Sequence, residues 1–290
     1  MKKSEFRFFH RLRVRWAEVD MQRIVFNAHY LMYLDTAIAD YWRALALPYE
    51  SGMLLLEGDM YVKKAILEYH ASARYEDQLD IGMRCVRVGT SSMVFDGAVF
   101  RGDECLVSGE LIYVFANPHT QKSKPVPPKL RGLFEAYESG QPVVQCQVGS
   151  WDLLGGATRA VRDEVFVKEQ GIAATIVWDD ADAHAVHALL TNHLGQAVAA
   201  GRLLQHASDV GRIGRMAVPR VLRGANLGRD VLLALVQASR ERGDHEVMLN
   251  AQCSAQGFYQ RFGFVPRGAV FEEAGIAHIG MVLARDSETH

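Results

Sequence analysis

The stretch that decides the fold runs from Arg212 to Leu232: Arg-Ile-Gly-Arg-Met-Ala-Val-Pro-Arg-Val-Leu-Arg-Gly-Ala-Asn-Leu-Gly-Arg-Asp-Val-Leu. It predicts a short apolar strand over Met216, Ala217 and Val218, then an arginine-rich turn, then an amphipathic helix. Val231, Leu232, Leu235, Val236 and Ser239 recur at the spacing of one helical face. Gly243 supplies the left-handed residue that ends such a helix. A helix N-terminus exposes unpaired N–H groups and a partial positive charge, and glycine lets phosphate oxygens come close to the backbone. Arg220, Arg223 and Arg229 add full charges. Strand, turn and helix together suit a pyrophosphate.

Further on, Leu249-Asn-Ala-Gln252 is followed by Gly257-Phe-Tyr259-Gln-Arg-Phe-Gly-Phe264. With the Arg223-Gly-Ala-Asn-Leu-Gly228 turn before it, this block resembles the GNAT acetyltransferase superfamily. Arg223 and Gly228 match the ends of that family's Arg/Gln-x-x-Gly-x-Gly/Ala signature. Asn226 stands at its middle glycine, and asparagine is the residue besides glycine that best tolerates positive φ. Val161–Gln170 and Gly275–Met281 are similar to the ElaA-like branch. The resemblance implies amine acylation by acetyl-CoA or another acyl-CoA, with CoA as product. It implies backbone contacts to the pantetheine arm at Met216, Ala217 and Val218. It implies pyrophosphate contacts at Arg223, Gly224, Ala225, Asn226, Gly228 and Arg229. Tyr259 falls where the family places the acid that protonates the thiolate. Glu169 and His278 sit in matching blocks, but no general base is identifiable.

The elements upstream fit the same α/β order. Thr158–Gln170 is expected to be helical, ended by Gly171, with an acidic loop at Asp179, Asp180 and Asp182. Strands are expected over 185–190 and 196–204, then 247–250 and 279–283, with a helix over 253–262. Val143–Val148 could open this domain as a strand. The proline-rich run after Asn117, a short helix at Lys129–Tyr137 and Ser139-Gly-Gln-Pro142 precede it. The expected domains are therefore 1–140 and 141–290.

In the first of these, Phe6–Asp20 is expected as one strand, with Phe8, Leu12, Val14 and Trp16 on one face and Arg7, Arg11, Arg13 and Arg15 on the other. A long helix over 28–45 would bury Tyr30, Tyr33, Leu34, Ala37, Ile38, Tyr41 and Leu45. Strands are expected over 61–70, 79–88, 92–100 and 105–116, in an antiparallel succession. One strand, one helix and about four antiparallel strands describe an α+β hotdog domain. Trp16-Ala-Glu-Val-Asp20, with Asn27 and Tyr30 at +7 and +10 from the aspartate, resembles the 4-hydroxybenzoyl-CoA thioesterase family. That resemblance implies acyl-CoA hydrolysis, with Asp20 as nucleophile or general base and Asn27 orienting substrate or water. It also implies a homo-oligomer. Arg23 replaces the family's usual glycine at +3. This substitution motivates a second expectation: a non-catalytic oligomerisation or acyl-CoA-sensing module regulating the acetyltransferase.

Composition bounds the remaining possibilities. The chain has 290 residues and a net charge of −2, which gives neither a nucleic-acid footprint nor a membrane-surface charge. No run approaches a membrane-spanning length, and the basic start lacks an apolar core of the kind a signal peptide needs. Cys85, Cys105, Cys146 and Cys253 show no metal-binding spacing, so no metal is expected. They read as buried thiols of a reducing compartment, which predicts a cytoplasmic protein.

Overall fold

The computed structural model describes residues 1–284 and divides the chain into two compact units, Met1–Val143 and a second that begins at Val144. The first unit contains β1 Phe8–Arg13, α1 Asn27–Ala44, α2 Tyr49–Leu55, β2 Asp59–Tyr69, β3 Gln78–Val88, β4 Ser92–Arg101, β5 Glu104–Ala116 and α3 Pro128–Glu138. Its antiparallel sheet has the order β1-β3-β4-β5-β2. The hotdog arrangement is present, with α1 laid on the sheet. Gly97 and Gly109 are paired across β4 and β5, and a Cβ on either would come within 2.6 Å of a leucine side chain. At Gly97 that leucine is Leu34 of α1, so the missing side chain is what lets the helix approach the strand. Every residue of the expected helical stripe, from Tyr30 to Leu45, is buried.

The first strand is shorter than its alternation suggests. It ends at Arg13, and Trp16–Glu18 form a 3-10 turn. That turn breaks the period-2 alternation, so Trp16 is 77 % exposed rather than inward, while Glu18 is buried. The later strands differ from expectation by only a few residues at their ends. They form a β3-β4-β5 meander, with β1 and β2 added at its two edges.

The second unit contains β6 Val144–Gly149, α4 Trp151–Arg162 continued by a π-helical turn Asp163–Glu169, and α5 Ala174–Val177. Then come β7 Val186–Asn192, β8 Ala197–Ala207, β9 Val210–Ala217, α6 Leu227–Arg242, β10 Glu246–Gln252 and α7 Gln256–Gln260. β11 Val265–Pro266, β12 Phe271–Glu273 and β13 Ile276–Ala284 complete it. The sheet order is β11-β13-β10-β9-β8-β7-β6, with β12 paired to β13. This is the α/β sheet of the GNAT fold. β9 and β10 are parallel, and their pairing covers only Val210–Ile213 and Glu246–Leu249. Past those residues the strands diverge.

Several expectations change in detail. The helix expected from Thr158 begins at Trp151 and runs through Gly155 and Gly156, residues that usually interrupt a helix. Gly155 has a packing reason to be there: a Cβ would come within 2.7 Å of the Trp151 ring folded over it. The helix expected over 253–262 is a 3-10 turn followed by five α-helical residues. Asp182 of the acidic loop is 4 % exposed, bound between Arg162 and Arg202 at 2.8 Å from each.

Candidate functional sites

In the first unit, the chain turns from Trp16–Glu18 into α1 through a tight loop. Asp20 donates its N–H to the Ile24 carbonyl and accepts from the Arg23 N–H, each at 2.9 Å. Its Oδ1 accepts from the Gln22 N–H at 2.8 Å. Arg23 sits at φ 62°, which explains the preference for glycine at this point. Asn27 is the first residue of α1 rather than its cap, which is Phe26. The Asn27 carbonyl accepts from the Tyr69 hydroxyl at 3.2 Å, joining the end of β2 to the start of α1. Asp20 and Asn27 thus flank one turn, with Trp16, Met21 and Phe26 exposed around it. Tyr30 is core, its hydroxyl accepting from the Ala73 N–H at 2.8 Å.

Glu18 has no counterpart among the expected residues. Its carboxylate accepts from the Arg15 backbone N–H and the Tyr33 hydroxyl, both at 2.8 Å, and from Arg15 Nε at 2.7 Å. Burial opposes its ionisation, but these donors win and hold it below the usual carboxylate range. Its carbonyl also accepts from the Phe26 N–H at 2.9 Å. Glu18 is therefore the brace of the Asp20 turn. The sequence cue that could have pointed to it was a glutamate three residues after Arg15, but such spacing is common on solvated surfaces.

In the second unit, the divergence of β9 and β10 opens into a cavity of about 840 Å³. Met216, Val218, Arg223, Gly224, Asn226, Gly228, Arg229 and Tyr259 line it together. Ala217 is buried on the strand between Met216 and Val218 and does not line it. Ala225 lies within the lined turn, its N–H donating to the Leu222 carbonyl at 3.3 Å. Gly224 and Asn226 both take left-handed conformations, at φ 92° and 63°. Asn226 is the N-cap of α6, yet its side chain makes no capping bond, so the first N–H groups of the helix are left open. A Cβ on Gly228 would meet only ordinary contacts, the nearest at 3.6 Å, so packing within the protein does not demand glycine there.

Two arginines of the turn are already engaged. Arg223 forms a bidentate pair with Glu169, both bonds 2.7 Å, and its Nε donates to the Val218 carbonyl at 3.1 Å. Arg229 pairs with Asp230 at 2.9 Å. Glu169, as the partner of Arg223, stands beside the turn and is not among the residues that line the cavity. Tyr259 is 8 % exposed and packs edge-on against Phe258 at 4.9 Å between ring centres. Burial pushes its phenol up to about 12, so it holds its proton at neutral pH. His278 lines the same cavity, with Nδ1 2.8 Å from the Ile276 carbonyl. Among the described residues, no group of three or more His, Cys, Asp or Glu is placed to hold a metal. Nor is any described helix long and apolar enough to cross a membrane.

Comparison with known proteins agrees with both halves. Residues 162–285 match the family model described as Acetyltransferase (GNAT) domain, and residues 22–108 match the Thioesterase superfamily. Protein ElaA of Escherichia coli K12 is 37 % identical over 125 residues, covering 42 % of this chain and 81 % of ElaA. An uncharacterized N-acetyltransferase of Bacillus subtilis, YjcF, is 33 % identical over 123 residues, 42 % of this chain and 86 % of that protein. A crystal structure of a thioesterase-superfamily protein from Jannaschia is similar over 44 % of this chain and 90 % of its own, at 23 % identity and a TM-score of 0.42. A role in acyl transfer linked to CoA follows from the two family matches. Through its second unit the chain belongs to the GNAT acetyltransferase family, in the company of ElaA, and its first unit carries a thioesterase-superfamily domain.

Proposed function

We propose that the protein is a bifunctional CoA-thioester enzyme, with residues 1–140 hydrolysing acyl-CoA and residues 141–290 transferring an acyl group from acyl-CoA to an amine. The observation that carries the acyltransferase half of this reading is the cavity shared by the β9–β10 fork, the open N-terminus of α6 and the buried Tyr259. In it the α6 N-terminus receives the pyrophosphate through N–H groups at 226–229, supported by Arg229. Arg223 braces the turn through Glu169 and reaches the phosphates when that pair opens. Met216 and Val218 border the gap that β10 leaves beside β9 and offer backbone groups there to the pantetheine arm, while Ala217, paired with Ala200 of β8, holds that edge in place. The amine nitrogen attacks the thioester carbonyl, the N–C bond forms and the C–S bond breaks. The departing thiolate takes the Tyr259 proton, and the proton shed by the amine restores the phenol. The burial that raises the phenol also raises the thiolate's demand for a proton, so donor and acceptor move together.

In the first unit Asp20 is the nucleophile or general base, Asn27 orients the thioester or water, and the N-terminus of α1 stabilises the oxyanion. Two features support a second copy of the chain completing this site. β2 is an edge strand of eleven residues with Tyr61, Val62, Ile66 and Tyr69 exposed. The Asp20 turn next to its end carries exposed Trp16, Met21 and Phe26. The engagement of Asp20 Oδ1 by Gln22 favours a second reading, an acyl-CoA-sensing or oligomerisation module.

One experiment separates these readings: release of CoA thiol from a panel of acyl-CoAs, with and without amines, by the parent, Asp20→Asn and Tyr259→Phe. Loss of a positioned acid or base lowers the rate by about 10²–10⁴-fold. Asp20→Asn is expected to abolish amine-independent release without changing oligomer size, and Tyr259→Phe to lower only amine-dependent release. No amine-independent release above background from any acyl-CoA tested sinks the hydrolase reading and leaves the sensing module, and release that survives Asp20→Asn intact removes Asp20 from the chemistry.

A further inference from the structure

The wall of the cavity built by β8 and β9 has an unusual balance of charge. β8 and β9 set Arg202 opposite Gly214 and Arg212 opposite Leu204. Side chains at directly paired positions, and at positions two apart on one strand, share a face of the sheet. Arg202 and Arg212 therefore rise from the same face with Gly214 between them. A Cβ on Gly214 would meet nothing within 4 Å, so the floor between the two guanidiniums is bare. Arg215 comes from the bulge next to it, at φ 53°.

These arginines exceed their partners. Asp182 is shared by Arg162 and Arg202, both at 2.8 Å. Asp179 holds Arg202 at 2.6 and 2.8 Å and Arg215 at 3.2 Å. Three guanidiniums thus divide two carboxylates. Arg202 is 7 % exposed, and its Nε and that of Arg215 have no hydrogen-bond partner among the described residues. No carboxylate among the described residues pairs with half-buried Arg212. A buried donor without a partner is costly, and an oxyanion is the ligand that suits a fork of N–H groups. Glu273 also lines the cavity, and its contact with Asn250 is long, at 3.4 Å. It gives the same cavity a place for a cation.

We infer that the acyl acceptor is an amine that also carries an anionic oxygen group, carboxylate or phosphate, held by Arg212 with Arg202 and Arg215 behind it. The inference rests on the reading of this unit as an amine acyltransferase. The anion docks on the arginine floor and the amine end lies toward Glu273 and the fork. Neutral amines and polyamines leave the guanidiniums uncompensated and bind poorly.

The test uses the full chain and acetyl-CoA. Acetylation is followed for ω-amino carboxylates of graded length, their primary amides, aminoalkyl phosphates and uncharged alkylamines, in the parent and Arg212→Gln. CoA binding is titrated in both proteins. The expected result is kcat/KM at least about 10-fold higher for one anionic class than for its neutral counterparts, the scale of a charge-assisted hydrogen bond. Arg212→Gln is expected to remove most of that preference and leave CoA affinity unchanged. The carboxylate and phosphate arms decide which anion is read. Neutral amines accepted as well as anionic ones, a preference untouched by Arg212→Gln, or no anionic amine accepted by a protein that binds CoA, each overturns the inference. Failure to bind CoA at all overturns instead the acyltransferase reading beneath it.

Discussion

Arg23 holds a left-handed conformation at φ 62° in an exposed turn, in the place where the related family has glycine. A non-glycine residue there carries about 1 kcal/mol or more of backbone strain. Arg23→Gly is therefore expected to raise stability by roughly 0.5–1 kcal/mol, less whatever entropy glycine adds to the unfolded chain. Urea unfolding of the two proteins checks this, and a lower midpoint for the variant would contradict it. At this scale much of the candidate chemistry was legible. Asp20, Asn27, Tyr259 and the 223–229 turn could be picked out because their spacing survives in the chain. Glu18 and the Arg223–Glu169 pair could not. Glu18 turns inward only because a 3-10 turn interrupts the alternation of β1, which sequence period does not announce. Arg223 and Glu169 are 54 positions apart and meet only through the fold.

The element that ties the second unit together is α4 with the loop behind it. Arg162, near the end of α4, is fully buried, and its guanidinium lies 5.8 and 5.7 Å from the Trp151 and Trp178 rings. A charged residue beside Val161 reads from sequence as part of a solvated face. What makes it tolerable inside is Asp182, which sequence reading leaves in an open acidic loop. Removing one member of a buried ion pair leaves the other charge uncompensated and typically costs about 3–5 kcal/mol. Asp182→Ala is expected to fall in that range, because it strands the fully buried Arg162, while Arg202 keeps Asp179. Guanidinium-chloride unfolding followed by tryptophan fluorescence measures it, and a loss below about 1 kcal/mol would show the arginines to be compensated elsewhere. Element types and order were readable from periodicity and glycine punctuation. Element ends were not, because Gly155 looks like a breaker until Trp151 is seen lying over it.

Across the molecule, the response to acid follows from groups whose folded environment resists protonation. His187 is fully buried, with burial first and the Arg162 charge second among the effects that lower its pKa, and its Nε2 is 2.9 Å from the Asp182 carbonyl. The unfolded chain gains a proton at this residue near pH ~6.5 that the folded chain refuses. Falling pH therefore favours the unfolded state, and stability declines from about pH 6.5 until the lowered folded value is passed. The carboxylates act later and with the same sign. Glu18 in the first unit, and Asp179 and Asp182 in the second, are held below their ordinary range. Their contribution is complete above about pH 4–4.5 and is lost as pH falls through the folded values. The second unit is thus expected to weaken first, as pH falls below about 6.5, with the first unit following only in stronger acid. Trp151 and Trp178 report on the second unit, and Trp42 and Trp16 on the first. Urea midpoints measured at a series of pH values, with His187→Gln as the comparison, decide the matter. The variant should show a flatter profile between pH 7 and 5 whatever its absolute stability, and an equally steep profile would remove His187 as the cause.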